Sequence, residues 1–288
     1  LRLVALAFGA LAVLFPVPAW APGMLRVDFI DVGQGDAALV TSPAGKTVLI
    51  DGGPHRSSQA LMRFLTAHVH RPLDLILLSH RHEDHLGGLA TVVGEIGARG
   101  FLDAPVEHAG SGYAALMRTL ASHGVAARQA TRGRRIDLGA GAAITLIGPP
   151  EPAITGSRSD VNANSVVARL TYGGVSVLFA GDAEAPTEAW LIASGATLRS
   201  SVLKVAHHGS RYASGAAFLR AVGAHLAIVS VGAGNGYGHP ATQTLARLAR
   251  GGASVYRTDV DGDVSIETDG QSIQVQSAHG RQELQKGP

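Results

Sequence analysis

The segment Leu78-Ser79-His80-Arg81-His82-Glu83-Asp84-His85-Leu86-Gly87-Gly88 places three imidazoles and two carboxylates within the stretch from His80 to His85. The spacing His80-x-His82-x-Asp84-His85 follows directly on the apolar run Leu73 to Leu78, which reads as a buried strand. A loop leaving a strand can send His80 and His82 to one side, and the next turn then presents Asp84 and His85 close by. Such a set can hold two adjacent divalent cations. Left empty and partly protonated, it would repel itself. Gly87-Gly88 lets the backbone crowd in behind, where a side chain would collide. The chain has no cysteine, which excludes a thiolate site, a cysteine nucleophile and a disulfide scaffold. Any metal must then be held by His, Asp and Glu.

His207-His208 follows a second apolar run, Val202 to Ala206. One of the two can act as a ligand or as proton donor to a leaving oxygen, while the other stacks on a neighbour. The backbone of Gly209 and the hydroxyl of Ser210 can donate to a phosphate, or Ser210 can cap a helix ahead of Gly215. Gly33-Gln34-Gly35-Asp36-Ala37-Ala38 fits a dinucleotide fingerprint, G-x-G-x-x-A. That fingerprint needs a helix to open there, and Pro43 and Gly45 leave no room for one, so a β-turn is expected. Asp259-Val260-Asp261-Gly262-Asp263 misses the calcium-loop spacing and reads as a hairpin turn at Asp261-Gly262. No serine sits in a nucleophile-elbow pattern.

The elements that must position these residues alternate between strand and helix patterns. Strands are expected at Leu25 to Phe29, Ala37 to Thr41, Thr47 to Ile50, Ala143 to Ile147, Val166 to Tyr172, Val175 to Phe179 and Leu226 to Val231. Helical spacing recurs at Ala60 to Val69, Tyr113 to His123, Ala185 to Ser194, Gly215 to Val222 and Ala241 to Arg250. Two halves of similar make-up suit two packed sheets with helices outside, an α/β sandwich. The 46% hydrophobic content and net charge of +2 exclude general disorder and a nucleic-acid binder relying on bulk charge, though not a local phosphate site. Arg132, Arg134 and Arg135 read as a solvated loop. Residues 1–23 form an apolar segment, read as the end of a transmembrane helix stopped by Pro16 and Pro18 with Trp20 at the interface. A secretory signal ending near Ala19-Trp20-Ala21 is the rival. Residues 24–275 are expected as one hydrolase-like domain and 276–288 as a frayed polar tail.

The His80–His85 segment resembles the signature of the metallo-β-lactamase superfamily of metal-dependent hydrolases, which implies a four-layer αββα sandwich over most of residues 25–270. The resemblance implies that Asp51, in Ile50-Asp51-Gly52-Gly53, supports the metal loop. It also implies that Asp182, in Ala180-Gly181-Asp182, bridges two metals, and that His239, in Gly238-His239-Pro240, is the last ligand. More narrowly, Phe29 to Ala37, Lys204 to Ser210, Tyr237 to Pro240 and Tyr256 to Asp259 resemble the C-terminal nuclease-like domain of the ComEC/Rec2 competence family. Asp31, Gln34 and Asp36 would there support the ligating histidines, with ordinary turn chemistry as the alternative. Where the superfamily carries a further histidine, this chain reads Asp160-Val161-Asn162-Ala163-Asn164-Ser165, and Asn164 is the expected occupant. A carboxamide is a weaker, harder ligand than imidazole, which makes manganese or magnesium more plausible beside zinc, with one or two ions held. The resemblance implies hydrolysis of single-stranded DNA beside a membrane, next to an upstream channel domain of the same protein. Asp84 would orient the attacking oxygen, and His207 or His208 would assist the departing one. A small-molecule metallo-hydrolase and a non-catalytic DNA-guiding domain are the alternatives.

Overall fold

The computed structural model describes residues 23–105 and 110–284. Strand β1 (Leu25–Phe29) alternates as its sequence demands, sending Leu25, Val27 and Phe29 into the core between two sheets. It pairs antiparallel with β2 (Ala38–Thr41), which pairs with β3 (Thr47–Ile50). Helix α1 (Ser58–His68) then crosses over to the parallel strand β4 (Leu75–Leu77). Two short helices, α2 (Glu83–Leu86) and α3 (Leu89–Glu95), lead to β5 (Gly100–Asp103), and α4 (Ser111–Ser122) leads to the edge strand β6 (Ala126–Gln129).

The chain then builds the second sheet by the same scheme. Antiparallel strands β7 (Arg135–Gly139), β8 (Ala142–Leu146), β9 (Ala168–Tyr172) and β10 (Val175–Phe179) come first, with α5 (Asp160–Ala163) in the loop before β9. Parallel strands β11 (Val202–Lys204), β12 (Leu226–Val229) and β13 (Ser254–Arg257) follow. They are linked through α6 (Ala185–Ala193), α7 (Ala216–Val222) and α8 (Thr242–Arg250). After a single helical turn, α9 (Thr258–Asp261), the chain returns to the first sheet as β14 (Val264–Thr268), β15 (Ile273–Ser277) and β16 (Gly280–Leu284).

The layers follow from which faces are apolar. One core fills the space between the sheets, a second lies between the first sheet and α1, α3 and α4, and a third between the second sheet and α6, α7 and α8. Strand β4 shows why: Leu77 faces the inter-sheet core and Ile76 the helical one, so a short all-apolar run is buried on both sides. The expected αββα sandwich is the observed one, and Ala38 opens a strand rather than a nucleotide-binding helix.

The turn at Asp261-Gly262 is not a hairpin, because β13 runs parallel to β12 while β14 pairs with β1; α9 carries the chain from one sheet to the other. The tail expected to fray at residue 276 instead adds an antiparallel edge strand, β16, and Tyr256 donates to Gln282 across the sandwich at 2.7 Å. Its polar alternation is that of an edge strand, which has no buried face to fill. The apolar segment 1–23, except Gly23, lies outside the described residues, among which no helix is long and apolar enough to cross a membrane.

Phe29 of the first sheet stacks on Phe179 of the second with ring centroids 6.0 Å apart. Phe29→Ala is expected to cost about 3–5 kcal/mol, read as a lower denaturant midpoint. An unmoved midpoint would show that this contact does not hold the sheets together.

Candidate metal centre

The loops that leave the carboxyl ends of the parallel strands meet at one rim of the sandwich. At the end of β3, Asp51 adopts a left-handed backbone (φ 59) and turns its carboxylate under the next loop. Its Oδ1 accepts from the Ser79 N–H at 2.7 Å, and its Oδ2 accepts from the Ser79 hydroxyl at 2.7 Å and from His85 Nδ1 at 2.9 Å. The Ser79 hydroxyl, spent as a donor on Asp51, accepts from His80 Nδ1 at 3.0 Å. Both histidines therefore turn Nε2 toward the centre of the site, where it can ligate once it carries no proton. Arg81 points the other way: it donates to Asp103 Oδ2 from Nε at 3.0 Å and lies over the Tyr113 ring, which itself donates to Asp103 at 2.6 Å. That anchor fixes the alternation that sends His80 and His82 to the same side.

Close backbone packing holds the loop. Asp36 N–H donates to the Asp84 carbonyl at 3.1 Å and Gly52 N–H to the His85 carbonyl at 2.6 Å. A side chain on Gly35 would strike the Asp84 carbonyl, and one on Gly88 the Gly52 carbonyl.

The second sheet completes the site. Asp182, after β10, places Oδ2 3.6 Å from His80 Nε2 and 3.6 Å from His207 Nε2. Its other oxygen, Oδ1, lies 3.3 Å from His85 Nε2 and 3.9 Å from His208 Nε2. Two ligand groups that share no residue result, His80–His82–Asp182 and Asp84–His85–His208, each with its candidate atoms within 4.8 Å of one another; a third, Asp36–His85–Asp182, overlaps both. Each of the first two takes two members from the loop after β4 and one from the second sheet.

His207 and His208 both adopt left-handed backbone (φ 49 and 51), so consecutive rings serve different places. His208 is buried, with Nε2 3.1 Å from Asp84 Oδ2 and Nδ1 3.0 Å from the Ser230 carbonyl and 3.1 Å from Asp36 Oδ1. His207 is partly exposed, and its Nδ1 donates to Glu184 at 3.1 Å. Beneath them the buried Lys204 ammonium donates to Asp36 at 2.5 Å.

Electrostatics sharpen the picture. Burial, together with the His85 charge, holds His80 well below the usual imidazole value. Burial acts the same way on His85 but is outweighed by Asp182, Asp51 and Asp84, which hold it well above. Burial is likewise overcome at His208, pushed up to about 10 by Asp182 and Asp36. Asp84 and Asp182 stay below the ordinary carboxylate range despite burial, chiefly through His85. Four carboxylates, Asp36, Asp51, Asp84 and Asp182, thus face the Lys204 ammonium and the raised imidazoles of His85 and His208. His85 Nε2, Asp182 Oδ1, Asn162 Oδ1 and His239 Nδ1 are buried without a hydrogen-bond partner. Buried groups left so are what a cation site requires, and the donor set fits a divalent ion.

Several expected residues take other places. Asn164 is not a ligand: its Oδ1 accepts from Ile154 N–H at 2.8 Å and its Nδ2 donates to the carbonyls of Ile154 and Asp160. Asn162 lines the cleft instead. His208, rather than His239, joins Asp84 and His85; His239 lines the cleft with its ring 5.7 Å from that of His207. Asp31 is exposed and accepts from the Gly33 N–H at 3.0 Å, which is turn chemistry. Gln34 lines the cleft and accepts from Gly232 N–H at 3.3 Å, while Asp36 does sit under the ligands. Ser210 is buried, its hydroxyl engaged by the Tyr212 N–H, and Gly209 is pressed against Pro240, so neither offers a phosphate donor or a cap. Glu184, Lys204 and Ser79 were not expected; Glu184, two residues beyond Asp182, carried the one readable sign.

Comparison with known proteins agrees with this geometry. A model of the metallo-beta-lactamase superfamily matches residues 30–233. The chain is 30% identical over 264 residues to ComE operon protein 3 of Bacillus subtilis (strain 168), covering 83% of this chain and 32% of that protein. It is 31% identical over 235 residues to competence protein ComA of Neisseria gonorrhoeae, covering 81% of this chain and 30% of that one. The chain thus spans about a third of the length of these relatives. Among solved structures, the metallo-beta-lactamase fold protein YhfI of Bacillus subtilis superposes with a TM-score of 0.54 at 13% identity, over 81% of this chain and 95% of that one, a likeness of fold alone. Since the matched stretch contains every member of both ligand groups, the chain belongs to the metallo-β-lactamase superfamily of metal-dependent hydrolases.

Proposed function

We propose that this domain cuts phosphodiester bonds of single-stranded DNA during competence, using one or two divalent cations, zinc or manganese. The observation that carries the reading is Asp182, whose two oxygens face two separate ligand groups on the floor of an open cleft of about 330 Å³. His80, His82 and Asp182 would hold one cation, and Asp84, His85 and His208 the other. Cations held there would supply polarisation of phosphoryl oxygens and a bound water with its pKa lowered toward ~7. Without them, the four carboxylates still outnumber the cations of Lys204, His85 and His208, and the remaining negative charge disfavours a phosphodiester, which argues against a metal-free guiding role. The polar lining of the cleft, with Gln34, Asn162 and Ser159 beside the ligands, suits a charged polymer better than a small apolar substrate.

The chain's own groups divide the work. Asp84, partly exposed, orients the attacking water. His207, steadied by Glu184, turns Nε2 toward the cleft and would give a proton to the departing oxygen, while His208 stays with Asp84 and His85 in its ligand group. The similarity to competence proteins, and the nuclease-like domain that the resemblance implies, supply the substrate class. Residues 1–23 would tether the domain to a membrane beside an upstream channel domain.

Purified protein with manganese is expected to shorten labelled single-stranded DNA, and chelation to stop it reversibly. Asp84→Ala should lower the rate by about 10²–10⁴-fold while leaving the circular dichroism spectrum and DNA binding in place. Intact DNA from folded, manganese-loaded wild-type protein would sink the reading.

A pH dependence follows as well. With their folded values raised above the ordinary 6.5, His85 and His208 stabilise the chelated protein fully below that pH. This contribution fades as pH climbs toward about 10, the value of His208. Metal binding must expel the same protons, so the rise in unfolding midpoint on adding metal should grow across that window. A metal effect that shrinks with rising pH would contradict the assignment of these two ligands.

A further inference from the structure

Tyr237 is 71% exposed, more than the other large apolar side chains at the surface among the described residues, Ile192, Tyr212 and Val260. It lines the cleft, and one face of its ring lies against His239, with centroids 6.0 Å apart and planes 24° from parallel. His239 in turn meets the His207 ring edge-on at 5.7 Å, so a run of three rings descends from solvent to Asp182. By contrast, Tyr212 already has the Arg158 guanidinium 3.8 Å over its ring.

The loop that carries Tyr237 is buckled from within. The Asn235 carboxamide donates to the Gly232 carbonyl at 2.9 Å and to the His239 carbonyl at 2.6 Å. Its oxygen accepts from the backbone N–H groups of Tyr237 and His239, each at 3.1 Å. The ring is therefore presented to solvent by an ordered loop, with its outer face open. A flat aromatic surface of this kind stacks on a nucleobase, and it does so only when the base is not already covered by neighbours in a duplex.

We propose that Tyr237 is the platform on which an unpaired base of the bound strand stacks, and that it sets the preference of this cleft for single-stranded over double-stranded polynucleotide. The inference rests on the hydrolase reading and adds the residue that selects the strand. Tyr237 touches the base, leaving the proton and cation chemistry to the groups below it.

The test compares wild type, Tyr237→Ala, Tyr237→Phe and Tyr237→Trp in the manganese-loaded protein. Each is measured for KM, kcat and binding on a labelled oligothymidylate, on the same strand with abasic sites throughout, and on a duplex. Tyr237→Ala should raise KM on the single strand about tenfold, within the range that a lost base stack costs, with little change in kcat. Phe and Trp should retain the wild-type KM, and the difference between wild type and Tyr237→Ala should vanish on the abasic strand. An unaltered KM in Tyr237→Ala overturns the proposal, as does Phe behaving like Ala, which would assign the effect to the hydroxyl. A wild-type protein that binds the strand in a Tyr237-dependent way yet never cuts it removes the hydrolase reading and leaves the stacking role standing. If wild type binds no single strand, both fall.

Discussion

A buried carboxylate shared between two sets of imidazoles is the constraint around which the molecule is organised. Asp182 has no hydrogen-bond partner at Oδ1, and its charge is balanced across short gaps by histidines on both sides. A buried charge is tolerable only when compensated. His85 and His208 supply that compensation as imidazolium ions, and they would give up their protons when a cation replaces them. The same groups thus compensate the buried charge of the unloaded protein and would hold a metal in the loaded one.

The surrounding structure serves to aim these groups. Asp51 and Ser79 set the ring nitrogens of His80 and His85, Asp103 anchors Arg81, Lys204 neutralises Asp36, and Glu184 steadies His207. The aiming residues sit at the ends of short strands buried on both faces, where the backbone has least freedom to drift. Glycines at positions 35, 52 and 88 let three loops approach to backbone contact, a packing no larger residue would permit.

How much of this could be read from the sequence depended on distance along the chain. His80, His82, Asp84 and His85 are contiguous, and a strand end followed by a turn is enough to gather them. The sandwich was legible because the apolar runs of β4 and β10 demand two covered faces. Choosing between Asn162 and Asn164 was not, since residues two apart on a helical turn point to nearly opposite sides and only the tertiary placement of α5 selects one. The division of labour between His207 and His208 was equally hidden, because it depends on two successive left-handed residues that the composition Ala-His-His-Gly does not announce. Lys204 sits in an apolar strand, and its partner Asp36 is 168 residues away along the chain, so local patterning does not reveal the pair. The edge strand β16 escaped because it lacks an apolar face, the feature by which strands are recognised.

Because every ligand group combines two residues from one sheet with one from the other, neither sheet by itself can form a complete set. The cleft therefore comes into being only when the sandwich has closed, and it dissolves as soon as the halves part. Any hydrolytic capacity resting on these ligand sets is then a property of the closed sandwich alone: a nascent or half-degraded chain holds no complete set.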